Sequence, residues 1–358
     1  MSVSLVVVRW VHFAAALTLV GVFSFRLFVG DPAFRQAAGA GCSVDHHALT
    51  RRLTRIAFAA LLLTLVSGTL WLLLQASGMS GQPISVALHR EVVQTVVLRT
   101  QVGHDWLVRT GLLTLLAIVL VLMRKRGRSR APLVIALALS AAELSALVWA
   151  GHAGAARGGR GAMQQTSDAI HLVAAGIWLG GLVPLALLLA TAQGAGDEGW
   201  LVVARNAASR FSTLGVLSIA SLLATGIVNS WLLVGDLTGL LDTDYGRCLL
   251  LKLGLFLATV GVASVSRIRL VPRLSSAPAR LGLDAAWKTV RELQRNIAIE
   301  VGLGVLILGI VGVLGTLPPA AHPHVHVGST GTCVKATNRY ESSSSLRRRA
   351  PLTCDREE

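Results

Sequence analysis

Charge is scarce in this chain. Only 14% of its 358 residues are Asp, Glu, Lys or Arg, 53% are hydrophobic, and the mean hydropathy is +0.64. That composition excludes an ordinary soluble enzyme, whose helices would show short apolar runs broken by polar faces at helical spacing. The four cysteines include no CxxC pair and define no framework, although Cys333 and Cys354 are free to pair in an oxidising compartment. There is no Walker-A pattern, no phosphate-cradling glycine motif and no phosphorylation-site aspartate motif, so any transport is not driven by the chain's own ATP hydrolysis. No internal repeat is evident. Met1–Val8 carries no Lys or Arg, so the basic stretch of a secretory signal is missing and the first apolar run is expected to be retained.

What is present is apolar length. Eight nearly uncharged runs follow one another: Leu5–Val29, Ile56–Ala76, Trp106–Met123, Leu133–Ala150, Ile170–Ala190, Phe211–Val234, Cys248–Val265 and Ile297–Leu317. Each approaches the roughly 20 residues that a helix needs to cross a bilayer. Strands would leave backbone groups unpaired in lipid, and a barrel would alternate with period two, which these runs do not. The expected fold is all-α: a polytopic integral membrane bundle of about eight transmembrane helices, with the 36 glycines serving close helix packing.

The formal charge of +15 does not point to nucleic acid, because the basic residues sit between the helices and alternate in density. The odd-numbered loops carry 19 Lys and Arg, whereas the N-terminus and even-numbered loops carry eight. The positive-inside rule then places both termini outside. Five of the eight tryptophans (Trp10, Trp71, Trp106, Trp149 and Trp231) fall near the expected outer ends, as an interfacial belt does.

This orientation gathers the histidines. Of ten, only His46 and His47 fall on the inner side. His12, His89, His104, His152 and His171 lie at or near the outer boundary, and His322, His324 and His326 follow the last run. Imidazole is a common transition-metal ligand that suits copper, and the thioether of Met163, in an outer loop, is a Cu(I) ligand. The hairpin between the fourth and fifth runs brings His152 and His171 to one side. Asp168 shares a helix face with His171 and is placed either to orient the imidazole or to suit the helix start. His12 has an alternative as an interface anchor beside Arg9 and Trp10. Glu143 is a pathway candidate at membrane depth, though on a straight helix it faces away from His152. Lys252 and Glu300 have the plain alternative of pairing with each other. In the segment His322-Pro323-His324-Val325-His326, alternate residues of an extended chain face the same way, so three imidazoles can chelate one ion.

Asp168-Ala-Ile-His171-Leu-Val-Ala-Ala-Gly-Ile-Trp178-Leu-Gly180-Gly181-Leu-Val-Pro184 strongly resembles the central signature of the CopD (copper resistance protein D) family. Gly151-His152-Ala153, Thr243-Asp-Tyr245-Gly246-Arg247 with Lys252, Gly315-Thr-Leu-Pro318-Pro319, and Val97-Leu-Arg-Thr100-Gln-Val-Gly103-His104-Asp-Trp106 are similar to other family stretches. The resemblance implies an inner-membrane copper-handling protein, a transporter rather than an enzyme. Uptake is the usual assignment, from a small periplasmic copper-binding partner of the CopC type. It implies His152, His171 and His12 as candidate copper ligands. The expected organisation is a transmembrane domain over 1–319, a His-rich segment over 320–326 and a disordered tail over 327–358. Two competing readings remain. Arg9-Trp-Val-His12 is similar to the helix starts of b-type membrane cytochromes, whose haems take histidines from two helices. A copper-binding membrane protein that does not transport would share the outer histidines but lack a path.

Overall fold

Eight helices long and apolar enough to cross a bilayer run through the computed structural model, which describes residues 3–42, 44–81, 85, 89–125, 130–150, 158–234, 237–280 and 282–317. They are α1 Val3–Gly39, α2 His47–Ser80, α3 Gln101–Met123, α4 Arg130–Trp149, α5 Gly158–Ala195, α6 Glu198–Leu233, α7 Asp244–Ser275 and α8 Leu283–Leu314. Two short helices, Arg90–Arg99 and Leu237–Asp242, lead into α3 and α7. Among the described residues there is no strand.

The helices outrun the apolar stretches that mark them. α1 continues through Arg26 and Arg35, and α8 starts well before Ile297 at Leu283. Hydropathy sees only the lipid-facing length, whereas Arg, Lys, Glu and Ala extend a helix into the headgroup region at little cost. The same effect corrects the reading of Met163, expected in a loop: α5 begins at Gly158 and holds it in helix, along with Asp168.

Three spans contain a widened π turn, at Arg26–Gly30 in α1, Gly176–Gly180 in α5 and Ser266–Leu270 in α7. A proline follows each within four residues: Pro32, Pro184 and Pro272. Proline cannot donate to the carbonyl four residues back and collides with it, so a locally wider turn is a common accommodation.

α1 lies at the centre, packed by α2, α4, α5 and α8. It crosses α5 backbone to backbone at Gly21 and Gly180. A Cβ built on Gly21 would lie 2.0 Å from the carbonyl carbon of Gly180, and one on Gly180 would lie 2.0 Å from the carbonyl oxygen of Leu17. Only hydrogen fits there, as small-residue crossings in membranes require. Phe23, Phe25, Leu116, Leu120, Leu182 and Leu188 fill the interior around it. Leu62, Val66, Leu217, Ile227, Leu257 and Ile268 point outward, an apolar surface suited to lipid rather than water. The two ends of the described chain meet at one end of the bundle, as an even number of crossings demands: Arg9 Nη1 donates to Gly315 O at 2.9 Å.

Candidate functional site

Polar side chains are buried at the end of the bundle where α1, α3, α5 and α7 begin. The first group is built on α1–α4. His12, fully buried, lies about 14 Å along α1 from Val3. Its Nδ1 is 2.9 Å from Ser67 Oγ on α2. The Ser67 hydroxyl already donates to Leu63 O, so it accepts from Nδ1–H, and the lone pair of the imidazole is left on Nε2. That nitrogen faces Arg109 Nη2 of α3 and lies 3.9 Å from Glu143 Oε1 of α4. Arg109 binds Glu143 Oε1 through Nη2 at 2.9 Å and Nε at 3.3 Å, and Nη1 reaches Asp105 Oδ2 at 3.8 Å.

This is a dense arrangement of charge in low dielectric. Two carboxylates share one guanidinium, with Glu143 Oε2 and Asp105 Oδ1 each lacking a hydrogen-bond partner. Trp71 closes the group from α2, edge-on to the His12 ring at a centroid distance of 5.6 Å, with the Arg9 guanidinium 4.7 Å from its ring centre. Trp71 therefore does not belong to the interfacial belt: it is 3% exposed, whereas Trp149 and Trp231 are 45% and 65% exposed. The His12 anchor reading is corrected as well, because Arg9 and His12 are both turned inward.

The second group is built on α5–α7. His171 Nδ1 is 2.9 Å from Thr225 Oγ1, which donates to Ser221 O at 2.6 Å and so again accepts from Nδ1–H. Asp168, for which orienting His171 is one of two readings, accepts from Asn229 Nδ2 at 2.5 Å. Three residues put the two side chains on adjacent parts of one face, but α6 offers each its own partner. Lys252 of α7 lies near both Asp168 and His171. Glu300 does not pair with Lys252; it lines a cavity of about 280 Å³ with Trp178, Ser212 and Arg267.

Sequence reasoning placed His12, His171, Asp168 and Glu143 among the candidates and missed Arg109, Ser67, Asp105 and Thr225. The available signal was Arg109, a guanidinium inside an apolar run, which at membrane depth seeks a buried partner. Met163 is 42% exposed, lining a shallow crevice with Thr166 and Thr225. His152, His322, His324 and His326 lie outside the described residues. Among the described residues no group of three or more His, Cys, Asp or Glu is arranged to hold a metal ion. The buried imidazole of His12 and the half-buried one of His171 thus each supply one ligand nitrogen, and the first group adds one carboxylate oxygen beside it.

Two family descriptions match the chain: Copper resistance protein D-like, N-terminal domain, over residues 1–162, and Copper resistance protein D, over residues 205–314. The chain is similar to Copper resistance protein D of Pseudomonas syringae pv. tomato, 31% identical over 317 residues, or 88% of this chain and 96% of that one. It is 28% identical to Inner membrane protein YebZ of Escherichia coli (strain K12) over 314 residues, 88% and 98% of the two chains. It is 26% identical to Copper transport protein CutJ of Bacillus subtilis (strain 168) over 306 residues, which are 84% of this chain and 52% of that longer one. No solved structure matches it significantly.

Proposed function

The chain belongs to the copper resistance protein D family, and from that premise we propose that it carries copper ions across the bacterial inner membrane as a multi-pass transporter without enzymatic activity. The direction we propose is uptake, with copper handed over by a small periplasmic partner of the CopC type. Both termini lie outside on this reading, so the two imidazole groups open toward the periplasm. The bundle over 1–319 is the transporting domain. His322, His324 and His326 form an accessory capture segment after it, and 327–358 is a tail without a transport role.

The observation that carries this reading is the His12–Glu143 relationship. A neutral imidazole nitrogen and a carboxylate oxygen face each other 3.9 Å apart, the span two ligands of one small cation take when each lies about 2 Å from it. The cationic group of Arg109 already contacts both. A place that holds one cation at membrane depth, with the counter-charge built in, can exchange it for another without burying additional net charge. Such exchange needs ligands too few to trap copper, and a third ligand from the delivering partner, His152 or Met163 would complete entry. The haem alternative is disfavoured here: Nε2 of His12 faces a guanidinium and a carboxylate rather than an open apolar pocket.

Copper accumulation in proteoliposomes containing the purified chain is the test. His12→Gln and His171→Gln should each lower the initial rate several-fold at equal protein content. Binding of copper with no accumulation inside the vesicles would instead support a membrane copper-binding protein that does not transport.

A further inference from the structure

We propose that the bundle is a tandem repeat of two four-helix units, α1–α4 and α5–α8, and that His12 and His171 are equivalent positions forming two copper sites of the same design. The inference rests on the copper reading for its ligand and on geometry for everything else.

The equivalence is visible residue by residue. In the first span of each unit a histidine is followed nine residues later by a glycine, His12 to Gly21 and His171 to Gly180, and these are the two glycines at which α1 and α5 cross. In the second span a hydroxyl residue is followed by glycine, Ser67-Gly68 and Thr225-Gly226. Each hydroxyl lies 2.9 Å from Nδ1 of its histidine. Each commits its own proton to a backbone carbonyl four residues back, at 2.5 and 2.6 Å. Each glycine faces the same imidazole carbon: a Cβ on Gly68 would lie 3.2 Å from Cε1 of His12, and one on Gly226 would lie 3.9 Å from Cε1 of His171.

The third spans agree in pattern and in contacts. Thr100-Gln-Val-Gly103-His-Asp-Trp-Leu-Val-Arg109-Thr-Gly111 matches Thr243-Asp-Tyr-Gly246-Arg-Cys-Leu-Leu-Leu-Lys252-Leu-Gly254 at the leading threonine, at both glycines and at Arg109 against Lys252. Both threonines cap their helix, accepting from Gly103 N at 3.1 Å and Gly246 N at 3.0 Å. The residue after each glycine reaches back to the same carbonyl, His104 Nε2 to Leu98 O at 3.1 Å and Arg247 Nε to Leu241 O at 3.3 Å. A short helix precedes each span, Arg90–Arg99 and Leu237–Asp242. Four spans separate the equivalents, so both units enter the membrane in the same direction, and both imidazoles face the same side. The repeat is too dilute to stand out in the sequence, because its markers are single residues spread over three helices in each unit.

The chemistry follows from the shared hydroxyl. By accepting Nδ1–H it fixes one tautomer in both units and aims the Nε2 lone pair away from the hydroxyl, the role an outer partner plays for a metal-binding imidazole. At His12 that lone pair meets Arg109; at His171 it has no hydrogen-bond partner among the described residues. The units differ in the carboxylate, Glu143 of the fourth span in one and Asp168 of the first span in the other. The two sites are therefore alike in ligand and different in surroundings: His12 has a carboxylate oxygen 3.9 Å from its Nε2 and should fill first, whereas His171 presents its Nε2 without one among the described residues.

Copper titration of the full chain in nanodiscs tests this, using the metal alone and reading Cu(II) by electron paramagnetic resonance. The wild type should take up about two equivalents with nitrogen coupling, and His12→Gln and His171→Gln about one each. Size-exclusion profiles certify that each variant is folded. The paired exchange Arg109→Lys with Lys252→Arg should keep both equivalents, since each base then sits where its counterpart sits in the other unit. One equivalent in the wild type, or loss of both on a single histidine change in a folded variant, overturns the proposal. Accumulation in proteoliposomes is read separately. Transport with a single bound ion defeats this inference and leaves the transport reading standing, and two bound ions without transport does the reverse.

Discussion

Arg109 of α3 meets Glu143 of α4 with Nη2 2.9 Å from Oε1, and the two side chains are 7% and 1% exposed. The pair spans two adjacent helices at a depth where neither charge has water to fall back on. Its energetic weight lies less in mutual attraction than in what breaking it leaves behind. Removing the Glu143 carboxylate takes away both of the Arg109 guanidinium's charged hydrogen bonds and leaves it only the looser ion-pair contact with Asp105, 3.8 Å away. Glu143→Leu should therefore destabilise the bundle by about 3–5 kcal/mol, while the double change Arg109→Met, Glu143→Leu should recover much of the loss. Ser67→Ala removes one interhelical hydrogen bond and should cost only about 0.6–1 kcal/mol. Thermal unfolding in detergent ranks the three variants, and a double variant no better than Glu143→Leu would argue against a coupled pair.

The crossing of α1 and α5 makes a second, purely steric prediction. At Gly21 and Gly180 a methyl group would meet backbone, which cannot rotate out of the way as a side chain can. Gly21→Ala and Gly180→Ala should each prevent normal assembly, seen as aggregation on size exclusion. Gly194 in the same α5 has nothing within 4 Å of an added Cβ. Gly194→Ala should be tolerated and should stabilise α5 by up to about 1 kcal/mol through helix propensity alone. A well-behaved Gly21→Ala protein would mean that the two helices are farther apart.

The number of spans was legible because hydrocarbon imposes its own period on the sequence, and all eight apolar runs fall within the eight helices or end just past them. The helix ends were not, because Arg26, Arg35 and Met163 stand where hydropathy drops and helicity does not. Of the site, His12 and His171 could be picked out as imidazoles near the outer boundary, Asp168 by the helix face it shares with His171, and Glu143 as a costly group at membrane depth. Their partners could not, because partnership depends on which helices adjoin. Nothing in the spacing tells that α6 brings Asn229 to Asp168 and Thr225 to His171, or that Trp71 turns inward onto His12 instead of toward the headgroups.

Orientation supplies a third prediction. The charge asymmetry of 19 against eight places the odd-numbered connections inside. Reporters active only in the cytoplasm should work when fused after Arg126 or Arg273 and should be silent after Arg160. The reverse pattern would turn both imidazole groups toward the cytoplasm and make delivery by a periplasmic partner untenable.

Trp71 offers a direct optical reading of the first site. Its ring centre is 5.6 Å from that of His12, close enough for a Cu(II) ion on Nε2 to quench its emission by contact-range electron or energy transfer. The indole is also shielded, 3% exposed with its N–H unpaired, so its emission should be blue-shifted relative to the exposed Trp149 and Trp231. Substoichiometric Cu(II) should therefore remove intensity from the blue side of the spectrum first. Trp71→Phe keeps an aromatic face for Arg9 and should abolish that early loss while leaving copper binding in place. His12→Gln should abolish it too, by removing the ligand and not the fluorophore, whereas His171→Gln should leave it unchanged. Early quenching that survives both Trp71→Phe and His12→Gln would place the first copper ion elsewhere in the bundle, with the open Nε2 of His171 as the next position to examine.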